Sequence, residues 1–404
     1  MRLITNVFIL LVIPISYYIK NVEIAYVLFL SYLTVLSIFA SSIRVEEIFR
    51  NKTIMLLFLF LCVTIISNIH FYLLDSELIK DYIKPYLRMW IYLLLLINVY
   101  VLSKNKSYIY ALIVLIIASS IIPNIVGLLQ LKYDIFTIII SKEGARRIGS
   151  TFAHPNFYGY YLVILITCLL YKLSTMEKGR MIISLYLLLS VFLLVNTHSR
   201  TTMFFGVVVI SVYLLDYLFK KYDLNLIITV SLGMAVVLIL FFYIALNSQW
   251  FLESRYNIME YSGSFNWRIL KWKTSIEYWI TNVPAIFIGF GWMTSLIYAS
   301  DPLYTYAAMH NEYVRVLFET GTVGLVLYVL FLLSIFKNIV NIRDREIKKL
   351  MFLLFGVFII GSIDGNLLGV PENTMYFFLF FASINCKGNN YYKETYRHEG
   401  IAYN

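Results

Sequence analysis

Arginine, histidine and asparagine recur at four places in this 404-residue chain where the surrounding sequence is otherwise apolar. Arg146-Arg147 leads through Gly149, Ser150 and His154-Pro155 to Asn156. Asn196-Thr197-His198-Ser199-Arg200 forms a short polar junction. Trp267-Arg268 opens a basic, tryptophan-rich stretch. His310-Asn311 is followed by Arg315 and by Glu319-Thr320-Gly321-Thr322-Val323-Gly324. A guanidinium is always charged and presents paired planar donors, so several of them converging from separate loops suit a phosphate or diphosphate. An imidazole with an ordinary pKa of about 6.5 is substantially neutral at neutral pH and can accept a proton from a reacting hydroxyl. Each residue also has a plainer reading: arginines contact phospholipid headgroups, a histidine beside a helix start bonds a backbone carbonyl, and Asn156 and Asn311 sit where asparagine caps helices.

The elements that must position these groups are membrane helices. Hydrophobic residues make up 60% of the chain and charged ones 14%, with a mean hydropathy of +0.78, which excludes an ordinary soluble domain. At roughly 20 apolar residues per crossing, the runs give an all-α polytopic protein of about twelve spans: Ile4–Ile19, Val22–Ala40, Thr53–Leu74, Ile83–Leu102, Tyr108–Leu131, Pro155–Leu173, Met181–Asn196, Thr201–Phe219, Leu224–Leu246, Tyr313–Phe336, Lys349–Leu368 and Thr374–Asn385. The last is apolar over a short stretch only and also fits a re-entrant segment. One integral domain thus covers 1–386, with a long polar loop at 247–312 and a short polar cytoplasmic tail at 387–404.

Basic residues accumulate on the cytoplasmic side. With the N-terminus inside, nineteen of the 33 Lys and Arg fall on the inner side and twelve on the outer, Arg88 and Arg315 lying within helices. Nine of the outer twelve lie in three segments, 132–154, 197–200 and 247–312. Positive charge kept outside against this bias implies an anionic ligand there. The loop 247–312 also holds Trp250, Trp267, Trp272, Trp279 and Trp292, five of six tryptophans. Aromatic rings settle at membrane interfaces and also stack on sugars. Within this loop, Trp267 to Ile280 reads as an amphipathic interfacial helix, broken by Val283-Pro284 and Gly289-Phe290-Gly291. The net charge of +10 is the cytoplasmic-loop excess rather than a nucleic-acid surface. Cys62, Cys168 and Cys386 imply no disulfide framework. Arg315 and Glu319, one turn apart, read as a buried charge pair, with Asp364 as another buried charge. Gly321, Gly324, Gly361 and Gly365 read as packing notches.

Taken together, the Arg147–Asn156 run, Ser199-Arg200, the loop arginine Arg268 and His310-Asn311 with Glu-x-Gly-x-x-Gly resemble the O-antigen ligase and polymerase family of bacterial membrane glycosyltransferases. The resemblance covers roughly residues 140–335. It implies a polyprenyl-diphosphate-linked glycan donor, an inverting transfer to a hydroxyl acceptor, and no metal or other cofactor, in the bacterial cytoplasmic membrane with the site on the extracytoplasmic face. Arg200 and Arg268 match the family's functional arginines, and His310 matches its proposed base. Arg146, Arg147, Asn156, His198, Asn311 and Arg315 are the further substrate-binding candidates. The partners implied are the lipid-linked donor, a glycan acceptor and membrane lipids, with a flippase and a chain-length regulator as candidates. A polysaccharide polymerase for capsule, exopolysaccharide or O-antigen is the favoured expectation. A ligase using another acceptor is the alternative, and a lipid-linked oligosaccharide transporter the alternative from another class. A transporter calls for internal repeats and charges at the bundle midplane.

Overall fold

The computed structural model of the protein describes residues 22–41, 45–74, 83–102, 107–133, 135, 139–140, 146–221, 266–292, 294–296, 309–365 and 367–384. These are almost wholly helical. The first six helices are α1 (Val22–Ser41), α2 (Val45–Phe49), α3 (Lys52–Leu74), α4 (Ile83–Leu102), α5 (Ser107–Ser119) and α6 (Ile121–Gln130). A two-residue antiparallel ladder follows, β1 (Ile139–Ile140) against β2 (Arg146–Arg147), which the all-α expectation did not contain. Then come α7 (Pro155–Thr175), α8 (Arg180–Asn196), α9 (Arg200–Lys221), α10 (Asn266–Ile280), α11 (Val283–Ile288), α12 (Glu312–Val340), α13 (Arg345–Asp364) and α14 (Pro371–Ile384).

Five helical stretches are long and apolar enough to cross a membrane: Lys52–Ile69, Tyr108–Gln130, Pro155–Thr175, Arg200–Lys221 and Glu312–Val340. The expected spans Ile4–Ile19 and Leu224–Leu246, the tail 387–404 and much of the loop 247–312 lie outside the described residues. Outward-facing side chains match a lipid solvent. Along α8, Met181, Ile182, Leu185, Leu188, Phe192 and Val195 are all exposed, an apolar stripe that an aqueous surface does not tolerate at this length.

Two expected spans have different internal structure. Tyr108–Leu131 is two helices meeting at Ser120, because Pro123 has no N–H for the Ser119 carbonyl and its ring crowds that oxygen. Helix α14 is shorter than a crossing requires, and every one of its residues is buried. It runs through the interior of the bundle between α4, α5, α7 and α13, with Phe378 stacked on Tyr92 at 4.7 Å and Tyr376 tilted against Tyr161 at 5.2 Å. A short helix is sustained there because protein, not lipid, surrounds its ends.

Helix α12 breaks at Gly321 (φ 68°, ψ −172°), a region of backbone space essentially restricted to glycine. The break frees two carbonyls of the preceding turn. Phe290 N–H bonds that of Phe318 at 3.1 Å and Gly291 N–H bonds that of Glu319 at 2.9 Å. Thr322 Oγ1 in turn donates to the Ile286 carbonyl at 2.9 Å. The approach is reciprocal: a Cβ on Gly321 would strike the Phe287 carbonyl, and one on Gly289 would strike that of Glu319. Gly321 is therefore a helix break onto which α11 is docked, not the packing notch expected. Gly321→Ala should lose about 1–3 kcal/mol from backbone strain alone, before the clash is counted. Thermal unfolding in detergent reads this, and an unchanged midpoint would refute the close approach.

The ends of α7, α9 and α13 are joined by a charge network. Asp216 pairs with Lys220 at 2.9 Å, Arg345 at 2.6 Å and Lys349 at 2.5 Å. Glu346 holds Lys220 at 2.6 Å, Lys349 at 2.7 Å and Ser174 Oγ at 2.9 Å. It closes the end of the bundle opposite the motif residues.

Candidate functional site

The loop entering α7 is held from both sides. Gln130, buried at the end of α6, accepts the N–H groups of Gly149 at 3.1 Å and Ser150 at 2.7 Å. Its amide nitrogen donates to the Ser150 carbonyl at 3.1 Å. Ser150 adopts a left-handed φ of 54° and donates through Oγ to the Pro123 carbonyl at 2.5 Å. Arg147 then reaches across two motif segments. Its Nε donates to the Thr197 carbonyl at 3.1 Å and an Nη to Asn156 Oδ1 at 2.9 Å, while Ile148 N–H bonds the Asn196 carbonyl at 3.3 Å. Arg146 contributes its backbone to the ladder; its side chain lies outside the described residues, as does that of Asp364.

Asn156 is not the cap of α7. His154 occupies that position, its Nδ1 accepting the Asn156 N–H at 3.1 Å, with Pro155 opening the helix. Burial, reinforced by the Arg147 charge, lowers His154 to about 4. At neutral pH the ring is uncharged, the form a cap acceptor needs. Asn156 is left to orient Arg147.

The junction between α8 and α9 turns at His198, a second left-handed residue with φ 49°. Arg200 is exposed and begins α9. A helix start carries a partial positive charge, so the guanidinium and the first turn of α9 present one sign to a ligand. Close packing fixes the junction against α7, since Gly159 lies against the Thr202 side chain.

The long loop contributes α10, whose sides differ. Ile269, Lys273, Glu277 and Ile280 are exposed, whereas Lys271 and Ser275 are buried and Arg268, Trp272 and Trp279 partly so. Trp272 Nε1 donates to the Met309 carbonyl at 2.6 Å and Trp279 Nε1 to that of Ala285 at 2.8 Å. Together with Ala285, Phe290, Met309 and Phe318 these tryptophans form a small second core. The break expected at Val283-Pro284 is a short helix, with Asn282 Oδ1 accepting the Ala285 N–H at 3.1 Å. Beyond it, Trp292 N–H is held by Asn68 Oδ1 at 2.7 Å, and Ser67 Oγ donates to the Ile288 carbonyl.

Trp272 thus pins Arg268's helix to the residue before His310, the third left-handed residue with φ 48°. Ser150, His198 and His310 are the non-glycine residues with positive φ among the described residues, and they lie in three of the four polar runs, the Trp267-Arg268 run being regular helix. Asn311 caps α12, its Oδ1 accepting the N–H groups of Tyr313 at 3.0 Å and Val314 at 3.1 Å. Arg315, expected among the substrate-binding residues, is 1% exposed and engaged by protein groups. It donates to Glu312 at 3.0 Å through Nε, lies 3.5 Å from Glu319 and stacks under Trp292 at 4.3 Å. The expected Arg315–Glu319 pair is present, but Glu312 is the closer partner. Its second oxygen accepts the Leu368 N–H at 3.1 Å. Glu312 is a site residue that the sequence motifs do not mark; its place one turn before Arg315 is the signal for it.

Both halves of the site meet α13. Tyr160, from the first turns of α7, donates to the Gly361 carbonyl at 3.5 Å, and Tyr313, from the first turn of α12, to that of Ile359 at 3.0 Å. The Arg147–Arg200 side and the Arg268–His310 side therefore flank the same end of one helix.

A family model described as O-antigen ligase matches residues 185–329. The match takes in His198, Arg200, Arg268, His310, Asn311 and Arg315, and leaves Arg146, Arg147 and Asn156 outside. It agrees with the O-antigen ligase/polymerase family and supports a membrane glycosyltransferase of that type. With the apolar helices, it points to a bacterial membrane protein. Among curated proteins, none matches the chain.

Proposed function

We propose that this protein is a polysaccharide polymerase, moving a growing glycan from a polyprenyl diphosphate onto a hydroxyl of a lipid-linked repeat unit at the extracytoplasmic face of the cytoplasmic membrane. The observation that carries the reading is that two pairs of polar runs, distant in sequence, are each tied to the Ile359–Gly361 turn of α13 through the helices they open. Three of the four runs pass through a non-glycine residue in the left-handed region, and such backbone strain clusters at functional sites.

The acceptor oxygen attacks the anomeric carbon from the side opposite the diphosphate. The carbon–oxygen bond to the diphosphate breaks, and the leaving group departs with the electron pair. His310 takes the hydroxyl proton as the new glycosidic bond forms. Arg200 and Arg268 stabilise charge growing on the diphosphate, the role for which preorganised cations are most effective. Arg147 acts through position: one guanidinium bridges the loop before α7 to the turn that carries His198 and Arg200. Asn311 sets the first turn of α12.

Purified protein incubated with a defined polyprenyl-diphosphate repeat unit should yield a ladder of lengthening chains. Transfer to a different acceptor without lengthening would favour a ligase, the second reading, which the description of the matching family supports. Absence of any transfer from an intact, folded protein would overturn both.

A further inference from the structure

We propose that the corner between α10 and α11 is a lipid-inserted surface, with Ile280, Val283, Pro284 and Phe287 seated among the acyl chains of the leaflet at the motif end of the bundle. This contact stands or falls apart from the glycosyl transfer proposed above.

Helix α11, Val283-Pro284-Ala285-Ile286-Phe287-Ile288, carries no ionisable side chain. Protein packing claims only part of it. Ala285 enters the small second core, and the carbonyls of Ile286 and Ile288 accept the hydroxyls of Thr322 and Ser67. Val283 is left 66% exposed and Phe287 58%, with Ile280 at 56% closing α10 and Pro284 exposed beside them. Four apolar side chains at one corner form a contiguous surface of the kind that marks a protein or membrane contact. The polar residues between the two helices turn back on the chain. Thr281 Oγ1 donates to the Tyr278 carbonyl at 2.6 Å and Asn282 Oδ1 accepts the Ala285 N–H, as a corner withdrawn from water requires.

The position of the patch says what covers it. Helix α11 packs against both α12 and α3, each long and apolar enough to cross a membrane. Its Phe287–Ile288 peptide lies against Gly321 of α12, and its Ile288 carbonyl takes the Ser67 hydroxyl of α3. Exposed apolar residues of both spans stand at that level: Val323 just past Gly321, and Ile66 and Ile69 on either side of Ser67. On α12 the outward stripe runs from Val323 through Val326, Leu330 and Leu333 to Val340, about 25 Å at 1.5 Å per residue. That is close to the roughly 30 Å of a hydrocarbon core, so Val323 marks its edge and Phe287 sits at the same edge. An apolar helix face at this depth lies in the boundary between headgroups and acyl chains. The patch thus continues the lipid-facing surface of the two spans on which α11 is docked.

Helix α10 meets the membrane differently. Trp272 and Trp279 bond inward, to the carbonyls of Met309 and Ala285. Its outer face carries Lys273 and Glu277, exposed and 3.8 Å apart, a pair suited to water or headgroups. Acyl contact therefore belongs to the corner rather than to the length of α10. Because Trp279 ties α10 to α11 and Trp272 ties it to the turn before His310, insertion of the corner sets the height of Arg268 and His310 above the hydrocarbon.

The test is fluorescence quenching in lipid nanodiscs, using the full chain with Cys62, Cys168 and Cys386 replaced by alanine and one labelled cysteine introduced at a time. A fluorophore on Phe287→Cys or Val283→Cys should lose most of its emission to nitroxide-bearing phospholipids and resist aqueous iodide. The loss should be larger with the nitroxide near the headgroup end of the chain than near its methyl end. A fluorophore on Lys273→Cys should show the reverse preference, quenched by iodide. Each variant is checked for a wild-type thermal midpoint, and if Phe287→Cys is unstable, Val283→Cys carries the same reading. Iodide quenching at 283 and 287 equal to that at 273 would place the corner in water and overturn the proposal. Protection from both quenchers would mean that protein covers it, a second copy or the segment 247–265, and would overturn it as well.

Discussion

Replacing His310 with alanine is expected to lower glycan transfer by roughly 10²–10⁴-fold, the span ordinarily lost with a positioned general base. The left-handed backbone complicates the alanine variant, since φ is 48° at His310 and a non-glycine residue gives up about 1–2 kcal/mol there. Asparagine separates the two effects. It tolerates the left-handed region through local hydrogen bonding but cannot accept a proton at neutral pH. His310→Asn should therefore match the wild type in thermal midpoint and match His310→Ala in rate. If the residue served only to shape the turn ahead of α12, His310→Asn would keep most of its activity and long polymer would persist. Chain length on a gel, read beside a melting curve for each variant, decides between these outcomes. Arg200 offers a companion case, because it begins α9 from an exposed position. Loss of transfer in a stable Arg200→Ala protein would thus report on chemistry rather than on folding.

The sequence yields some of these features readily and hides others for identifiable reasons. A run of apolar residues announces a helix by its length, so α3, α4, α7, α8 and α9 fall within a few residues of where their hydropathy places them. The Ser120 break was also accessible, since Pro123 interrupts the run. Gly321 was not, because Thr320-Gly321-Thr322-Val323-Gly324 has the same letters whether the helix packs closely or breaks. What decides is the α11 backbone, anchored by Gly289 thirty-two residues earlier. His154 displaced Asn156 as a cap although both are competent acceptors; Arg147 had claimed the asparagine from another segment. Lys271 counted among the outer cations in sequence, but its burial follows from the Trp272 and Trp279 contacts that orient α10. Local pattern locates the polar runs. Which of their side chains face one another depends on loop conformations at Ser150, His198 and His310 that no periodicity encodes.

Arg315→Met is expected to destabilise the protein by about 3–5 kcal/mol, the usual cost of stripping one partner from a buried ion pair. The guanidinium answers Glu312 and Glu319 and lies against the Trp292 ring, so a methionine fills the volume but leaves two buried carboxylates without their cation. Arg315→Lys keeps the charge and loses both the fork and the ring contact, and should fall between the two. The decisive variant adds changes rather than removing them. Arg315→Met combined with Glu312→Gln and Glu319→Gln should be more stable than Arg315→Met alone, because the charges are then withdrawn together. If the single variant melts with the wild type, the charges are not coupled as their geometry implies. If the triple variant recovers its midpoint yet transfers poorly, the charge cluster matters to the reaction as well as to the fold. That outcome follows if Glu312, by fixing the Leu368 turn beside α14, also positions the start of α12 behind His310. Stability and catalysis at this end of the bundle would then share one set of charges, with Arg315 balancing both carboxylates.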